Sequence, residues 1–237
     1  MKIKILYDNR TIGSGILAGW GFSCLVDNTV LFDMGENGSG LLNNIKNMKI
    51  DIENINNIVI SHDHWDHTGG LEFFLKIRKN VTVYGCKGFS FEFKNMVNLY
   101  NAELIEERYL SPVKGNVYTT GVFTGEYKGN KIEEQALVVK TFNGITIITG
   151  CAHPGIVRMV KYVKELFPQE RIYCVLGGFH LKATKNKEII SVVREFKALG
   201  VEKTGPAHCS GDDAISIFKK EYKSDFIQIE AGKEIEV

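Results

Sequence analysis

Four side chains able to hold a metal ion fall within six residues, His62, His64, Asp66 and His67, in the stretch Ser61-His62-Asp63-His64-Trp65-Asp66-His67-Thr68-Gly69-Gly70. Imidazole and carboxylate make a ligand set that suits zinc, iron or manganese. Alternation along a nearly extended stretch would aim His62 and His64 the same way, while Asp66 and His67 turn toward a neighbouring point. One short segment could therefore half-fill two adjacent metal sites. A lone histidine on an apolar face is usually a satisfied core residue, but packing explains a cluster this dense poorly. The chain has six histidines, and the three outside the cluster, His153, His180 and His208, each follow an apolar run close to glycine or proline.

Cysteine adds a softer donor. The five cysteines, Cys24, Cys86, Cys151, Cys174 and Cys209, form an odd, scattered set with no C-x-x-C pair, so reduced and mostly buried thiols are expected instead of a disulfide framework. Cys151 stands two residues before His153, and Cys209 directly follows His208. For both, plain packing and a metal or redox role stay open.

The elements that must position these residues follow from pattern. Ile58-Val59-Ile60 reads as a buried strand feeding the cluster, and Thr68-Gly69-Gly70 permits a tight turn into a helix beginning near Leu71. Upstream, Lys2–Tyr7 reads as a strand, and Gly21–Val26 with Thr29–Phe32 as a hairpin across Asp27-Asn28. Asp33 sits just past that hairpin, placed either to buttress a metal-bound histidine or to form a turn before glycine. Helical spacing marks residues 40–48, and residues 81–84 read as a strand. Residues 88–101 are aromatic-rich without a clean period, and residues 111–131 have the composition of a long loop or irregular hairpin.

The second half alternates more regularly. Residues 136–141 and 145–149 make a hairpin across Asn143-Gly144, and an amphipathic helix is expected over 156–167. A strand over 172–176, a helix over 188–199, a strand over 201–204 and a helix to Tyr222 capped by Asp212 follow, with residues 226–229 and 234–237 finishing the sheet. Three successive strands would each deliver a histidine at the carboxyl end, the edge of a layered α/β protein where sites assemble.

Composition bounds the rest. At 237 residues, 44% hydrophobic and 24% charged, the chain has the make-up of a globular protein, read here as one domain over residues 1–237. A net charge of +1 argues against a nucleic-acid partner bound by bulk phosphate neutralisation. No apolar stretch approaches the roughly 18 residues of a membrane span, and the N-terminus lacks a long apolar signal region, so a cytoplasmic location and no membrane partner are expected. A small-molecule substrate is the expected partner, and the sequence leaves a homo-oligomer open.

H-x-H-x-D-H after a strand, preceded by Phe32-Asp33-Met34-Gly35 and followed by a late strand-end histidine, resembles the metallo-β-lactamase superfamily. The segments Gly19–Ser23, Ser61–Leu71, Glu134–Leu137, Gly150–His153, Gly177–Leu181 and Pro206–Gly211 look similar to one branch, the 7,8-dihydropterin-6-methyl-4-(β-D-ribofuranosyl)aminobenzene-5'-phosphate synthases. The resemblance implies a four-layer αβ/βα sandwich and one or two divalent metal ions, with zinc first and iron or manganese as alternatives. It implies one ion on His62 and His64, and a second on Asp66, His67 and His208. Two departures stand out: Pro112–Gly129 contains none of the superfamily's further histidine, and Cys151 stands where a bridging aspartate is usual. His153 would substitute for one or the other.

The chemistry implied is hydrolysis, or the branch's condensation of an arylamine with a pterin methylene carbon. Asp66 would handle a proton if it is not a ligand, His180 would contact a phosphate or pterin edge, and Trp20, Phe22 and Trp65 would stack on a flat ring. An iron-based redox or electron-transfer protein is the rival reading, motivated by Cys151 and Cys209 beside histidines.

Overall fold

The computed structural model describes residues 1–237. In the first half β1 (Lys2–Tyr7), β2 (Ser23–Val26) and β3 (Val30–Phe32) run antiparallel, and β4 (Asn57–Val59), β5 (Thr82–Tyr84) and β6 (Glu103–Ile105) join β3 in parallel. Parallel neighbours need crossovers. These are supplied by α1 (Gly38–Asn47), by α2 (Trp65–Thr68) with α3 (Leu71–Ile77), and by α4 (Phe91–Leu99). Asn37 starts α1 by accepting the Gly40 N–H at 2.9 Å, and Ser90 starts α4 by accepting that of Phe93 at 3.3 Å.

The second half begins with β7 (Ser111–Lys114) and β8 (Val117–Thr119). A separate hairpin follows, β9 (Phe123–Tyr127) and β10 (Asn130–Glu134), and then β11 (Leu137–Thr141), β12 (Gly144–Thr149), β13 (Ile172–Gly178) and β14 (Lys203–Ala207). Helices α5 (Ile156–Leu166), α6 (Asn186–Ala198) and α7 (Asp212–Tyr222) cover this sheet. Helix α5 does so with Ile156, Met159, Val160 and Val163, spaced along one face and all buried. The last strand, β15 (Glu234–Glu236), returns to pair with β1.

Three apolar clusters separate the layers. One lies between the first sheet and α1, α3 and α4, around Leu31, Leu41, Ile58, Phe74 and Phe93. A second joins the two sheets through Ile5, Phe22, Phe32, Leu137, Ile148 and Leu176. The third packs α5, α6 and α7 on the second sheet around Val160, Val175, Phe196 and Phe218. Helix, sheet, sheet, helix is the order, a four-layer αβ/βα sandwich. Strand β12, buried along its whole length, is the apolar run expected of a strand covered on both faces.

Several local expectations are corrected. The segment after His64 does not stay extended: Trp65–Thr68 closes a helical turn, with the His67 N–H reaching His64 O at 2.9 Å. Residues 91–99 form a helix, although exposed Phe91 interrupts its apolar stripe. Residues 111–131 hold two hairpins. Asp212 makes no cap, because Gly211 occupies that position without a side-chain hydrogen bond. Residues 226–229 contribute only a bridge from Phe226 to Thr204, and β15 extends the first sheet, away from the second.

Candidate metal centre

Strands β12, β13 and β14 are parallel, with Thr149 paired to Gly177 and Gly177 to Pro206. The residues just beyond therefore leave one sheet edge together, and His153, His180 and His208 reach the same place. His62, His64, Asp66 and His67 arrive opposite them from the end of β4. The donor atoms of His62, His64 and His153 lie within 4.8 Å of one another, as do those of Asp66, His67 and His208. Two trios stand side by side, bridged by a third grouping of His62, His67 and Cys151.

Hydrogen bonds on the outer ring nitrogens set the tautomers. Asp33, fully buried, accepts the Ser61 N–H and hydroxyl at 2.7 Å each and faces His67 Nδ1 at 2.7 Å. Because the Ser61 proton is given to Asp33, its oxygen is left to accept from His62 Nδ1 at 2.9 Å. Glu134, also fully buried, accepts the N–H groups of Cys151, Ala152 and His153 and faces His153 Nδ1 at 3.0 Å. Asn9 Oδ1 stands 3.1 Å from His208 Nδ1. His62, His67 and His153 thus spend Nδ1–H on a fixed partner and turn Nε2 inward, the arrangement that readies imidazole as a ligand, whereas His208 Nδ1 also accepts the Gly21 N–H at 3.2 Å. His64 presents Nδ1 instead, 3.1 Å from His62 Nε2.

The electrostatics agree with a cation-binding purpose. Burial holds His62 well below the ordinary imidazole pKa, with His67 and His153 adding to the effect. Burial, then His153, lowers His64 as well. These rings are neutral, lone-pair donors near pH 7. Burial also works against charge on His67, but Asp33 outweighs it and raises the pKa to about 9. His208 Nε2 is buried and makes no hydrogen bond, although Asp66 Oδ2 lies 3.2 Å away at an angle unsuited to one. A buried ring nitrogen left so, facing a carboxylate and a second imidazole, has the donor chemistry that a divalent ion would satisfy.

Close approach needs an unusual backbone. Asp33, Ala152, His180 and His208 hold φ of 54°, 61°, 52° and 47°, strain of about 1 kcal/mol or more at each non-glycine position. Gly21 at φ 128° passes so close to Asp66 that a Cβ there would collide with the Asp66 carbonyl oxygen.

The sequence profile of the metallo-β-lactamase superfamily matches residues 24–154, more than half of the chain. The chain belongs to that superfamily. The chain is 32% identical over 243 aligned residues to the 7,8-dihydropterin-6-methyl-4-(beta-D-ribofuranosyl)-aminobenzene-5'-phosphate synthase of Methanocaldococcus jannaschii, covering 86% of this chain and 83% of that one. The crystal structure of Tm1679, described as a metal-dependent hydrolase of the beta-lactamase superfamily, superposes with a TM-score of 0.83 at 33% identity, covering 100% and 99% of the two chains. The metallo-beta-lactamase fold protein YhfI from Bacillus subtilis shares the fold, with a TM-score of 0.68 at 15% identity over 99% of each chain.

His153 lies beside His62 and His64, at 4.7 and 5.0 Å between ring centroids. Cys151 Sγ is 3.3 Å from His67 Nε2, between the trios. Asp66 faces His208 and His67 as a ligand would, 3.2 and 3.8 Å from their Nε2 atoms. His180 is exposed, with its ring 4.5 Å from that of His153. Cys209 packs under the site, its thiol reaching Cys151 O at 3.6 Å.

Of the three aromatic expectations, that for Phe22 needs correction. Phe22 is 0% exposed and belongs to the core between the sheets, so no substrate reaches it. Trp20 has Lys182 Nζ 4.3 Å over its ring and His208 in an edge contact at 4.8 Å, so Lys182 occupies one of its faces. Trp65 is 62% exposed and makes no aromatic contact with the cluster. The residue that does cover the imidazoles is Tyr127, 4.7 Å from His64, 5.3 Å from His153 and 6.0 Å from His180. Sequence reasoning passed over Tyr127 and gave Glu134 no role. The Lys128-Gly129 pair, both at positive φ, is the hairpin signal that would have placed both residues on one ribbon.

Proposed function

We propose that the protein is a metal-dependent transferase or hydrolase acting on a small phosphorylated or pterin-like substrate. The observation that carries the reading is the meeting of two donor trios, His62/His64/His153 and Asp66/His67/His208, from both halves of the chain. The likeness to the M. jannaschii synthase supports the substrate class.

The trios would each hold one divalent ion, zinc by the nitrogen-rich donor set. When bound, such an ion lowers the pKa of water and polarises a carbonyl or phosphoryl oxygen. The chain's own residues do the rest. Asp33, Ser61 and Glu134 lock the ligating rings, and Tyr127 excludes water from one side. His180 is the proton donor to a leaving oxygen: Cys209, accepting from the protonated ring, raises its pKa above the ordinary imidazole value against burial. In hydrolysis a water oxygen bonds to the attacked phosphorus or carbon and loses a proton, the bond to the leaving oxygen breaks, and the leaving group departs with the His180 proton. In a condensation, an arylamine nitrogen bonds to the pterin methylene carbon, the carbon–oxygen bond to phosphate breaks, and the amine loses a proton.

The test is turnover by zinc-loaded protein on phosphate esters and on a dihydropterin methyl diphosphate offered with an arylamine. Activity on one set that disappears in a folded His64→Ala variant supports the proposal; wild-type protein inert on both sets, though fully loaded, refutes it.

An iron-based redox protein is a second reading, favoured by the grouping of Cys151, His208 and Cys209 donors within 4.8 Å. Thiolate ligands would favour iron. A purified protein with visible absorbance bleached by dithionite would favour this reading, and a colourless zinc protein would exclude it.

A further inference from the structure

Lined at one side by His208 of the second trio, a cavity of about 380 Å³ opens between the loop after β1 and the segments after β13 and β14. That volume is at the small end of ligand pockets, suited to one end of a small molecule. Its walls include Asn9, Arg10, Trp20, Lys182 and Asp212. The floor is fixed: Asn9 Nδ2 donates to His208 O at 3.1 Å, and the His208 N–H donates to Asp8 Oδ1 at 3.1 Å. The Lys182 N–H is tied to Cys209 O at 3.2 Å.

Two cations line this cavity, and they are held differently. Arg10 Nη2 donates to Asp212 Oδ1 at 2.6 Å, so its charge is largely answered. Lys182 has no carboxylate partner; its ammonium rests 4.3 Å over the Trp20 ring, a cation–π contact that orients the group without neutralising it. Trp20 in turn touches His208. A positive charge is thus kept next to the candidate ligand His208, on the wall of a pocket with room for a further group. We infer that this cavity is the subsite for the phosphate group of the substrate, with Lys182 as its chief charge contact and Arg10 as a second. The inference rests on the proposed function for the idea that substrate reacts at the adjacent trios.

Binding of inorganic phosphate, followed by calorimetry at fixed ionic strength on zinc-loaded and on metal-free protein, tests it. Lys182→Met should weaken phosphate binding about tenfold in both forms, the loss of one charge-assisted contact, with zinc content unchanged. Asp212→Asn should tighten it, because it frees Arg10 and removes a negative charge; misfolding cannot produce that gain. Phosphate affinity indifferent to Lys182→Met and Asp212→Asn, or binding that vanishes whenever zinc is removed, would overturn the subsite while leaving the metal centre standing. Failure to hold zinc, with phosphate binding still sensitive to Lys182, would strike the proposed function alone.

Discussion

Glu134 Oε2 lies 3.0 Å from His153 Nδ1 in a fully buried pair, and the same carboxylate gathers the backbone N–H groups of residues 151–153. Burial alone would raise the Glu134 pKa, but the hydrogen bond to His153 and those to the loop hold it below the ordinary value. The side chain is therefore an anion that sets both the loop and the ring.

Glu134→Gln keeps the shape and removes the charge. Zinc affinity at the His62/His64/His153 trio should fall about 10- to 100-fold, while the other trio is unaffected. Glu134→Ala should also destabilise the fold, by about 2–4 kcal/mol, because several buried donors lose their acceptor at once. Competition with a chromophoric chelator and urea denaturation read the two effects.

The cluster itself was legible in sequence because its spacing is local: residues 62–67 are consecutive, and the strand before them has an unbroken apolar run. The three later histidines were legible as strand ends, since each follows a buried β segment. Glu134, Tyr127 and the Trp20–Lys182 pair were not, because each acts on partners far along the chain. Phe22 misled for the same reason: its neighbours in the sequence include site residues, but it belongs to the apolar cluster between the sheets that also holds Leu137 and Leu176 of the other sheet.

Phe22→Ala should consequently behave as a core truncation. A loss of about 3–5 kcal/mol of stability is expected, measured by chemical denaturation. Substrate KM in the fraction that stays folded should not change, whereas a stacking role would raise it.

His67 gives the metal-free protein a pH dependence of definite sign. Its pKa rises from the ordinary 6.5 to about 9 on folding, so the stabilisation is fully present below about 6.5 and is lost as pH climbs through about 9. Zinc needs the neutral ring, so zinc affinity of the second trio should instead increase up to about pH 9, near tenfold per unit, with a proton released on binding. Asp33→Asn should flatten both trends. Melting temperatures of metal-free protein and zinc titrations across pH 6–10 are the measurements.

His180→Gln separates proton donor from ligand. Zinc content should be unchanged and kcat should fall by about a hundredfold or more. The wild-type rate should decline on the alkaline side, above the ordinary imidazole pKa because Cys209 raises that of His180, and this limb should be missing in the variant. Loss of zinc in His180→Gln would make the residue a ligand.

The convergence of distant donors is tested most directly by counting zinc per chain, by mass spectrometry of metals, in folded wild-type, His153→Ala and His208→Ala proteins after loading and desalting. Two equivalents are expected in the wild type and one in each variant, because each substitution empties a different trio. A wild-type chain that keeps no zinc, or variants that keep as much as the wild type, would contradict that convergence.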